Sequence, residues 1–409
     1  MSSPPVGEKA FLTWDPHRFG RPDVCASGSV GAYVHFPFCR RHCWYCDFNV
    51  HVGGEGAVAD YLDALGVEVS AVTEFLDPSP RIDTIYVGGG TPSHAGPERL
   101  ERMLTTLRRS LRLAPGGEFT VEANPADASA EIYAAMTESG VTRLSLGVQS
   151  FADRSLSLLD RDHTGESAGR AVELAVAAGF GSISIDLIYG TPGQSLEDWR
   201  SDLKRAARLG VGHVSCYALT LDSQRARTRA VELGRIPDGD GMFPYYQAAL
   251  GILGSAGFEH YETSNWARTG HRCRHNGAVW AGGRYLPLGC GAHGFLGNRR
   301  YHLVRRPDRY ADRVRSGDSL LAGSEQLEAG DLLREAVALP LRTAAGIDLA
   351  GLNDRFGYDL LEEHGPLIGQ LAHENLLVRD GVRLHPSDRG MFLADALGAA
   401  LLPGIGSGG

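Results

Sequence analysis

The sequence predicts an α/β protein built on a parallel β-sheet, with a small α/β domain at its C-terminal end. Six short apolar runs, each long enough for one buried strand, recur along the first half of the chain. Amphipathic segments with helical spacing separate them, and such alternation is typical of a parallel sheet. Glycine or polar clusters follow several of the runs, at the strand ends where parallel α/β sheets bind ligands.

Each element is predicted from its own residues. The strand segments are 32–36, 84–87, 118–122, 143–148, 182–188 and 213–219. The helical segments are about 57–76, 97–113, 128–139, 165–179 and 194–209. Ligand-binding turns are expected after the second strand, at 88–92, and after the fifth, at 189–193.

The composition divides the chain into three parts. Residues 1–30 are rich in Pro, Gly and Ser and are predicted to be a flexible leader. Residues 31–300 hold the sheet, and their last stretch, 257–300, predicts extra strands and loops around a site. Residues 301–409 predict a small helical domain with winged-helix character, because helices precede a hairpin that turns at Asp380-Gly381.

Composition and charge exclude several classes of function. The 409 residues are 43% hydrophobic and 22% charged, which is ordinary for a globular protein. The formal net charge of −9 disfavours nucleic acid as a partner. No apolar run reaches the ~18 residues that a transmembrane helix needs, and residues 1–20 lack the apolar core of a signal peptide. We therefore expect a cytoplasmic protein without a transmembrane segment.

Three of the seven cysteines lie within eight residues, at Cys39, Cys43 and Cys46. Thiolates prefer soft metals, so the cluster predicts a metal centre. A structural zinc ion needs four ligands, and His42 or His51 could supply the fourth. Three cysteines on one loop also suit an iron–sulfur cluster that leaves one iron open. The spacing favours iron–sulfur and leaves zinc as the alternative.

The spacing CxxxCxxC after a first strand, with Tyr45 before the last cysteine, resembles the radical S-adenosylmethionine (SAM) family. Five segments in order resemble its coproporphyrinogen-oxidase-like branch, namely 33–39, 88–92, 121–125, 146–151 and 186–193. The resemblance implies a partial barrel of six parallel strands. It also implies a 4Fe–4S cluster on the three cysteines, whose open iron chelates SAM and whose electron cleaves SAM to a 5′-deoxyadenosyl radical.

The resemblance also implies which residues contact the cofactors. These positions are Tyr33, Tyr45, Gly89, Gly90, Thr91, Glu122, Gln149, Arg161, Asp186 and Ala218. Glycines at the strand end let a ligand approach the backbone closely. Glu122 would accept hydrogen bonds from the ribose, and Arg161 would pair with the SAM carboxylate. Alternatively, Glu122 forms an ion pair with Arg161, and the two tyrosines are core aromatics.

Two branches of the family share these motifs, the oxygen-independent coproporphyrinogen III oxidases and the haem chaperones of the HemW type. The oxidases carry a fourth cysteine two residues after the third, where this chain has Phe48. His275, Asn276 and Trp280 match the chaperone signature His-Asn-x-x-Tyr-Trp, and Val279 replaces its tyrosine. The resemblance therefore favours the chaperone type.

The signature implies that His275 binds haem, because imidazole is an iron ligand. His293 and Cys273 are rival ligands. The apolar contacts to haem are expected from four aromatics, or these are core residues. They are Trp266, Trp280, Tyr285 and Phe295.

The resemblance implies a haem chaperone that passes haem to acceptor haemoproteins, with respiratory ones at the inner membrane face as candidates. The alternatives are a coproporphyrinogen III oxidase and a zinc-stabilised binding module without redox chemistry.

Overall fold

The computed structural model describes residues 30–75, 82–234, 236 and 239–402. Apart from Val30, the predicted leader lies outside the described residues. The strands are β1 (Val30–Phe36), β2 (Phe38–Cys39), β3 (His51–Val52), β4 (Ile82–Gly89), β5 (Leu113–Ala123), β6 (Arg143–Gln149), β7 (Ser182–Tyr189), β8 (His213–Ala218), β9 (Glu259–Glu262), β10 (Asn265–Ala267), β11 (Arg284–Leu288), β12 (His293–Leu296), β13 (Arg299–Leu303), β14 (Leu321–Gln326), β15 (Ile347–Asp348), β16 (Leu377–Asp380) and β17 (Arg383–Pro386).

The α-helices lie between these strands and after them. They are α1 (Glu55–Phe75), α2 (Pro97–Ser110), α3 (Ala130–Glu138), α4 (Asp153–Leu158), α5 (Gly165–Ala178), α6 (Leu196–Arg208), α7 (Gln224–Leu233), α8 (Gly239–Ser255), α9 (Arg274–Trp280), α10 (Pro307–Ser316), α11 (Ala329–Ala338), α12 (Leu349–Phe356), α13 (Leu360–His373), α14 (Asp388–Phe392) and α15 (Ala394–Ala400). In the part of the chain that the structure describes, no helix is long and apolar enough to span a membrane.

The prediction of a six-stranded parallel sheet is confirmed. A sheet of 12 strands among the described residues has the order β14-β13-β12-β11-β1-β4-β5-β6-β7-β8-β10-β9. The six predicted strands, β1 and β4 to β8, lie side by side and run parallel. Strand β11 lies in the segment 257–300, where extra strands were predicted, and adds a further parallel strand on the other side of β1.

The two faces of the sheet differ in polarity, and this difference creates the interior of a partial barrel. In β4 the apolar Ile85 and Val87 are fully buried and belong to the main core. Thr84 and Tyr86 alternate with them, so they point to the opposite face. There the Tyr86 hydroxyl donates to Glu122 of β5. The helices therefore cover the apolar face, and the polar face lines a lumen.

The helices that carry the sheet begin at side-chain caps. The Thr164 hydroxyl accepts from the backbone of Ser167 at the start of α5, and Gly179 ends this helix in the left-handed conformation. Ser195 and Asp198 form the equivalent reciprocal cap of α6. Such caps satisfy backbone donors that a helix leaves free at its first turn.

A second core lies in the C-terminal part of the chain, in side chains between Val337 and Leu401. It packs on the small sheet β15-β17-β16, and the predicted hairpin joins β16 to β17, since Asp380 pairs with Arg383. Strands β13 and β14 instead continue the large sheet. By strand pairing, the chain therefore stays in the large sheet as far as Gln326.

Candidate functional site

The three clustered cysteines lie on one loop at the C-terminal end of the parallel strands. Cys39 ends the short strand β2, Cys43 is buried, and Cys46 closes a turn by donating its backbone N–H to the Cys43 carbonyl over 3.2 Å. Burial, with a smaller contribution from the neighbouring thiols Cys46 and Cys43, raises the pKa of the Cys39 thiol to about 11, although the Thr91 hydrogen bond acts in the opposite direction. Three partly buried thiolates would repel one another, so the loop favours a cationic partner.

The donor set suits an iron–sulfur cluster. The loop offers three free thiols, whereas a structural zinc site needs four ligands. A 4Fe–4S cluster can take three thiolates on different irons and leave the fourth iron open.

The end of β4 holds the cysteine loop in place. The backbone N–H groups of Gly90 and Thr91 donate to the carbonyls of Phe36 (2.7 Å) and Phe38 (2.8 Å). The Thr91 hydroxyl lies 3.3 Å from the Cys39 sulfur. A Cβ atom on Gly90 would lie 2.6 Å from the Phe38 carbonyl oxygen, so this position requires glycine. The glycine motif is thus part of the support of the loop.

Two further contacts fix the loop from its sides. The indole of Trp44 is buried and donates to the Leu158 carbonyl over 2.8 Å. Arg40 pairs with Asp127 at 2.6 Å and lies 3.7 Å from Asp162. Asp127 lies in the turn after β5 and Asp162 in the connection that follows β6, so the loop is bound to the same edge of the sheet as the predicted SAM contacts.

Glu122 lies in the lumen beside the glycine motif. It accepts hydrogen bonds from the Tyr86 hydroxyl (2.7 Å) and the Gly89 backbone (3.0 Å). Burial raises the pKa of its carboxyl to about 7, although both hydrogen bonds act in the opposite direction. Arg161 donates instead to Asn124 (3.2 Å) and the Gly147 carbonyl (2.9 Å). The alternative of an ion pair between Glu122 and Arg161 is therefore wrong.

Arg161 connects the cysteine loop to the end of β6. Burial lowers its pKa, but the nearby Tyr45 and Cys43 outweigh this and raise it. Its Nε atom is buried without a hydrogen-bond partner. Gln149 ends β6 in a left-handed conformation, with φ of 66°. A guanidinium with a spare donor at a strand end suits a carboxylate ligand.

A third carboxylate, Asp186 of β7, faces the same lumen. Its oxygens accept from Ser145 at 3.3 Å, and burial raises its pKa to about 6. Ala218 ends the neighbouring β8, paired with Tyr189. Tyr217, one residue earlier, is 40% exposed. Burial of its hydroxyl raises the pKa of that group, and the carboxyl groups of Asp186, Glu262 and Glu122 are close enough to raise it as well. Solvent therefore enters the lumen, and carboxyl groups line part of its wall.

The two predicted tyrosines lie on either side of this group. The Tyr33 hydroxyl lies 3.0 Å from His35 Nδ1, and its ring stacks on Tyr86 with centroids 6.2 Å apart. Tyr45 packs edge-on against Trp44 at 5.8 Å. Burial raises the pKa of both hydroxyls, so both stay neutral.

His275 lies at the other end of the strands. It is on α9 with 6% of its surface exposed, and its Nδ1 lies 2.9 Å from the Thr84 hydroxyl near the start of β4. Gly89 lies five positions after Thr84 along β4, which is a distance of about 16 Å. Burial lowers the pKa of His275 to about 4, so the ring is neutral.

The four aromatics that were predicted beside His275 do not form one surface. Trp266 is 1% exposed and stacks on His260 at 4.5 Å, so it is a core residue. Arg342 lies over the Trp280 ring at 5.2 Å. Tyr285 pairs with Phe295 across β11 and β12, and its ring lies 6.4 Å from His275.

Sequence reasoning missed the residues that hold these groups in place. Glu118 of β5 accepts from the backbone of His275 (3.0 Å) and so fixes the start of α9. Asp202 of α6 accepts from Ser150 (2.6 Å) and Phe151 (2.9 Å), next to the strained Gln149. The motif 146–151 includes Ser150 and Phe151, but no local pattern marks acids that lie 51 or more residues away.

A cysteine loop at the end of a parallel partial barrel, facing a strand end rich in glycine, is the arrangement of the radical SAM class. A family model described as the Radical SAM superfamily matches residues 33–206, and one described as the HemN C-terminal domain matches residues 327–393. Coproporphyrinogen III oxidase (HemN) from Escherichia coli superposes with a TM-score of 0.81 over 93% of this chain and 92% of its own. At 22% identity this likeness shows the fold alone.

The curated relatives are closer in sequence. The protein named heme chaperone HemW of Mycobacterium tuberculosis is 41% identical over 377 residues, which cover 91% of this chain and 94% of the relative. Its namesake in Bacillus subtilis is 31% identical and covers 91% and 98%. The chain therefore belongs to the HemW family of haem chaperones within the radical SAM superfamily, as the sequence motifs predicted.

Proposed function

We propose that this protein binds haem and delivers it to acceptor haemoproteins, and that its barrel holds a 4Fe–4S cluster and SAM. The observation that carries the proposal is the similarity to relatives named heme chaperone HemW over about nine tenths of both chains. The polar lumen and the tethered cysteine loop support the cofactor part, because both lie where the radical SAM class holds its cofactors.

Cys39, Cys43 and Cys46 would hold the cluster, and the strand ends around them would hold SAM. When bound, the pair would supply one-electron reductive chemistry at the end of the barrel. The lumen residues Glu122 and Asp186 accept hydrogen bonds and could orient hydroxyl groups. Arg161 has a free donor for a carboxylate. Tyr33, Tyr45, Gly89, Gly90, Thr91, Gln149 and Ala218 complete the proposed contacts.

Phe48 separates this proposal from the oxidase alternative. It occupies the position of the oxidases' fourth cysteine. Its side chain is 66% exposed, so it is not part of the core at that position. The likeness to the oxidase fold does not favour oxidase activity, since the fold supports more than one function. The haem acceptors, respiratory ones at the inner membrane face among them, and a cytoplasmic location are part of the same proposal.

An anaerobic comparison tests the function. Protein reconstituted with iron and sulfide is titrated with haem, then mixed with an apo-haemoprotein, and in parallel incubated with SAM, a reductant and coproporphyrinogen III. We expect haem binding and transfer, and no porphyrinogen product. SAM-dependent formation of protoporphyrinogen IX would replace the chaperone with the oxidase, and zinc without iron or sulfide in the purified protein would favour the binding module.

A further inference from the structure

An accessible imidazole lies beside the cysteine loop. His293, the first residue of β12, is exposed, and it pairs with His302 of β13. The two rings stack with centroids 5.3 Å apart and an interplanar angle of 23°. Partial burial, His302 and Arg305 all lower the pKa of His293, so its ring is neutral at pH 7. A neutral imidazole is the form that ligates iron.

The turn before His293 packs directly on the end of the cysteine loop. The Asn49 side chain donates to the carbonyls of Cys290 (3.4 Å) and Arg305 (2.9 Å). A Cβ atom on Gly291 would lie 2.2 Å from the Asn49 amide nitrogen, so the two segments are in close contact. The exposed imidazole is therefore held next to the loop, because the Cys290–Gly291 backbone before it packs tightly against Asn49.

Exposed apolar side chains flank the same contact. Phe48 is 66% exposed and Val52 is 64% exposed, and they lie on either side of Asn49 in the chain. Both rank among the most exposed large apolar side chains of the described residues. Haem presents a broad apolar face, so exposed apolar side chains next to an imidazole match its chemistry.

A cationic side chain on this surface suits the charge of haem. Haem carries two propionates. Arg305 is exposed, bonds to the Asn49 side chain at 3.4 Å, and has no carboxylate partner among the described residues. A guanidinium of this kind can pair with a propionate.

We infer that haem docks on the surface formed by Phe48, Val52, His293 and Arg305, with His293 as the iron ligand. The inference rests on the proposed haem-chaperone function and names its site. It also places haem next to the cysteine loop. His275 is 6% exposed and bonded to Thr84, so its ligation would require α9 to move, whereas His293 needs no such change.

Titration of the reconstituted full-length protein with two porphyrins tests the inference. Ferric protoporphyrin IX reports ligation, and metal-free protoporphyrin IX reports contact without ligation. His293→Ala should weaken binding of the ferric compound at least about tenfold and shift its Soret band, with little effect on the metal-free one. His293→Cys should restore binding with the spectrum of a thiolate ligand. His373→Ala, an exposed histidine on α13, is the matched control.

The outcomes separate this site from the function. If the wild-type protein binds neither porphyrin, the proposed function fails and the site with it. If the wild type binds haem and His293→Ala keeps its affinity and spectrum, the site is wrong and the function stands; loss of the spectrum in His275→Ala would then assign the ligand to α9. Circular dichroism and iron content identify a variant that has failed to fold, and His293→Cys then carries the test through its spectrum.

Discussion

Two carboxyl groups in the lumen differ from exposed carboxyl groups in their pKa and in how firmly they are held. Glu122 and Asp186 face a space that water enters, yet burial raises the pKa of their carboxyls to about 7 and about 6. Each is also fixed by hydroxyl donors, Tyr86 for Glu122 and Ser145 for Asp186. Fixed acceptors of this kind can bind a polyhydroxylated ligand without reorganising.

Replacing any one cysteine of the loop should abolish the iron–sulfur cluster, because three ligands leave no substitute. We expect Cys39→Ala, Cys43→Ala and Cys46→Ala each to lose iron, sulfide and the visible absorbance after anaerobic reconstitution. Cys216→Ala, which removes a buried thiol from β8, should keep all three signals. A full cluster in any of the loop variants would contradict the assignment.

Glu122→Ala should weaken SAM binding and leave the cluster intact. The loss of one fixed acceptor for the ribose is worth ~1–3 kcal/mol, or about 5–150-fold in affinity. Calorimetry on the reconstituted protein measures it. Glu138→Ala, at the exposed end of α3, controls for loss of a carboxylate elsewhere. Unchanged affinity in Glu122→Ala would remove this residue from the site.

Among the elements, those with a local pattern could be predicted from the sequence and those defined by distant contacts could not. The six parallel strands were apparent because each is a short apolar run between helical segments. For β11 the sequence predicted only that extra strands lie within 257–300, and not the parallel pairing with β1, which lies about 250 residues earlier. The cysteine spacing predicted the loop, but Trp44–Leu158 and Arg40–Asp127 join segments that no local pattern connects.

Gly90→Ala should displace the cysteine loop, because the added Cβ would lie 2.6 Å from the Phe38 carbonyl oxygen and 2.7 Å from that of Phe36. We expect reduced iron incorporation and a lower melting temperature. Gly66→Ala is a matched control within α1, where a Cβ meets no atom within 4 Å. That variant should gain about 0.5–1 kcal/mol, since alanine favours helix. Equal iron content in both variants would show that the contact does not hold the loop.

Across the whole molecule, a buried acid joins parts of the chain that are far apart in sequence. Glu68 of α1 is fully buried and accepts from the Gly289 backbone (2.8 Å) and from the Tyr310 hydroxyl (2.5 Å). These contacts connect α1 to the end of β11 and to α10. Its other oxygen is buried without a hydrogen bond, so the charged form is costly.

Glu68→Gln should therefore change how stability depends on pH. Burial raises the pKa of Glu68 from 4.5 to about 7, so the folded state holds this proton more tightly than the unfolded chain does. The stabilisation is fully present below pH 4.5 and is lost as the pH rises through 7, a change of about 3 kcal/mol. Denaturant unfolding of both proteins from pH 4.5 to 8 should show that the free energy of unfolding of the wild type falls relative to that of the variant as the pH rises. Parallel pH profiles would rule out this role.

The hydrogen bonds that hold the cysteine loop determine when, during synthesis, the loop can be completed. Asn49 bonds to the carbonyls of Cys290 and Arg305, 241 and 256 residues later in the chain. During synthesis, the loop leaves the ribosome long before those partners exist, so it stays incomplete until most of the polypeptide has emerged. Insertion of the proposed cluster into the completed loop would then be a post-translational step.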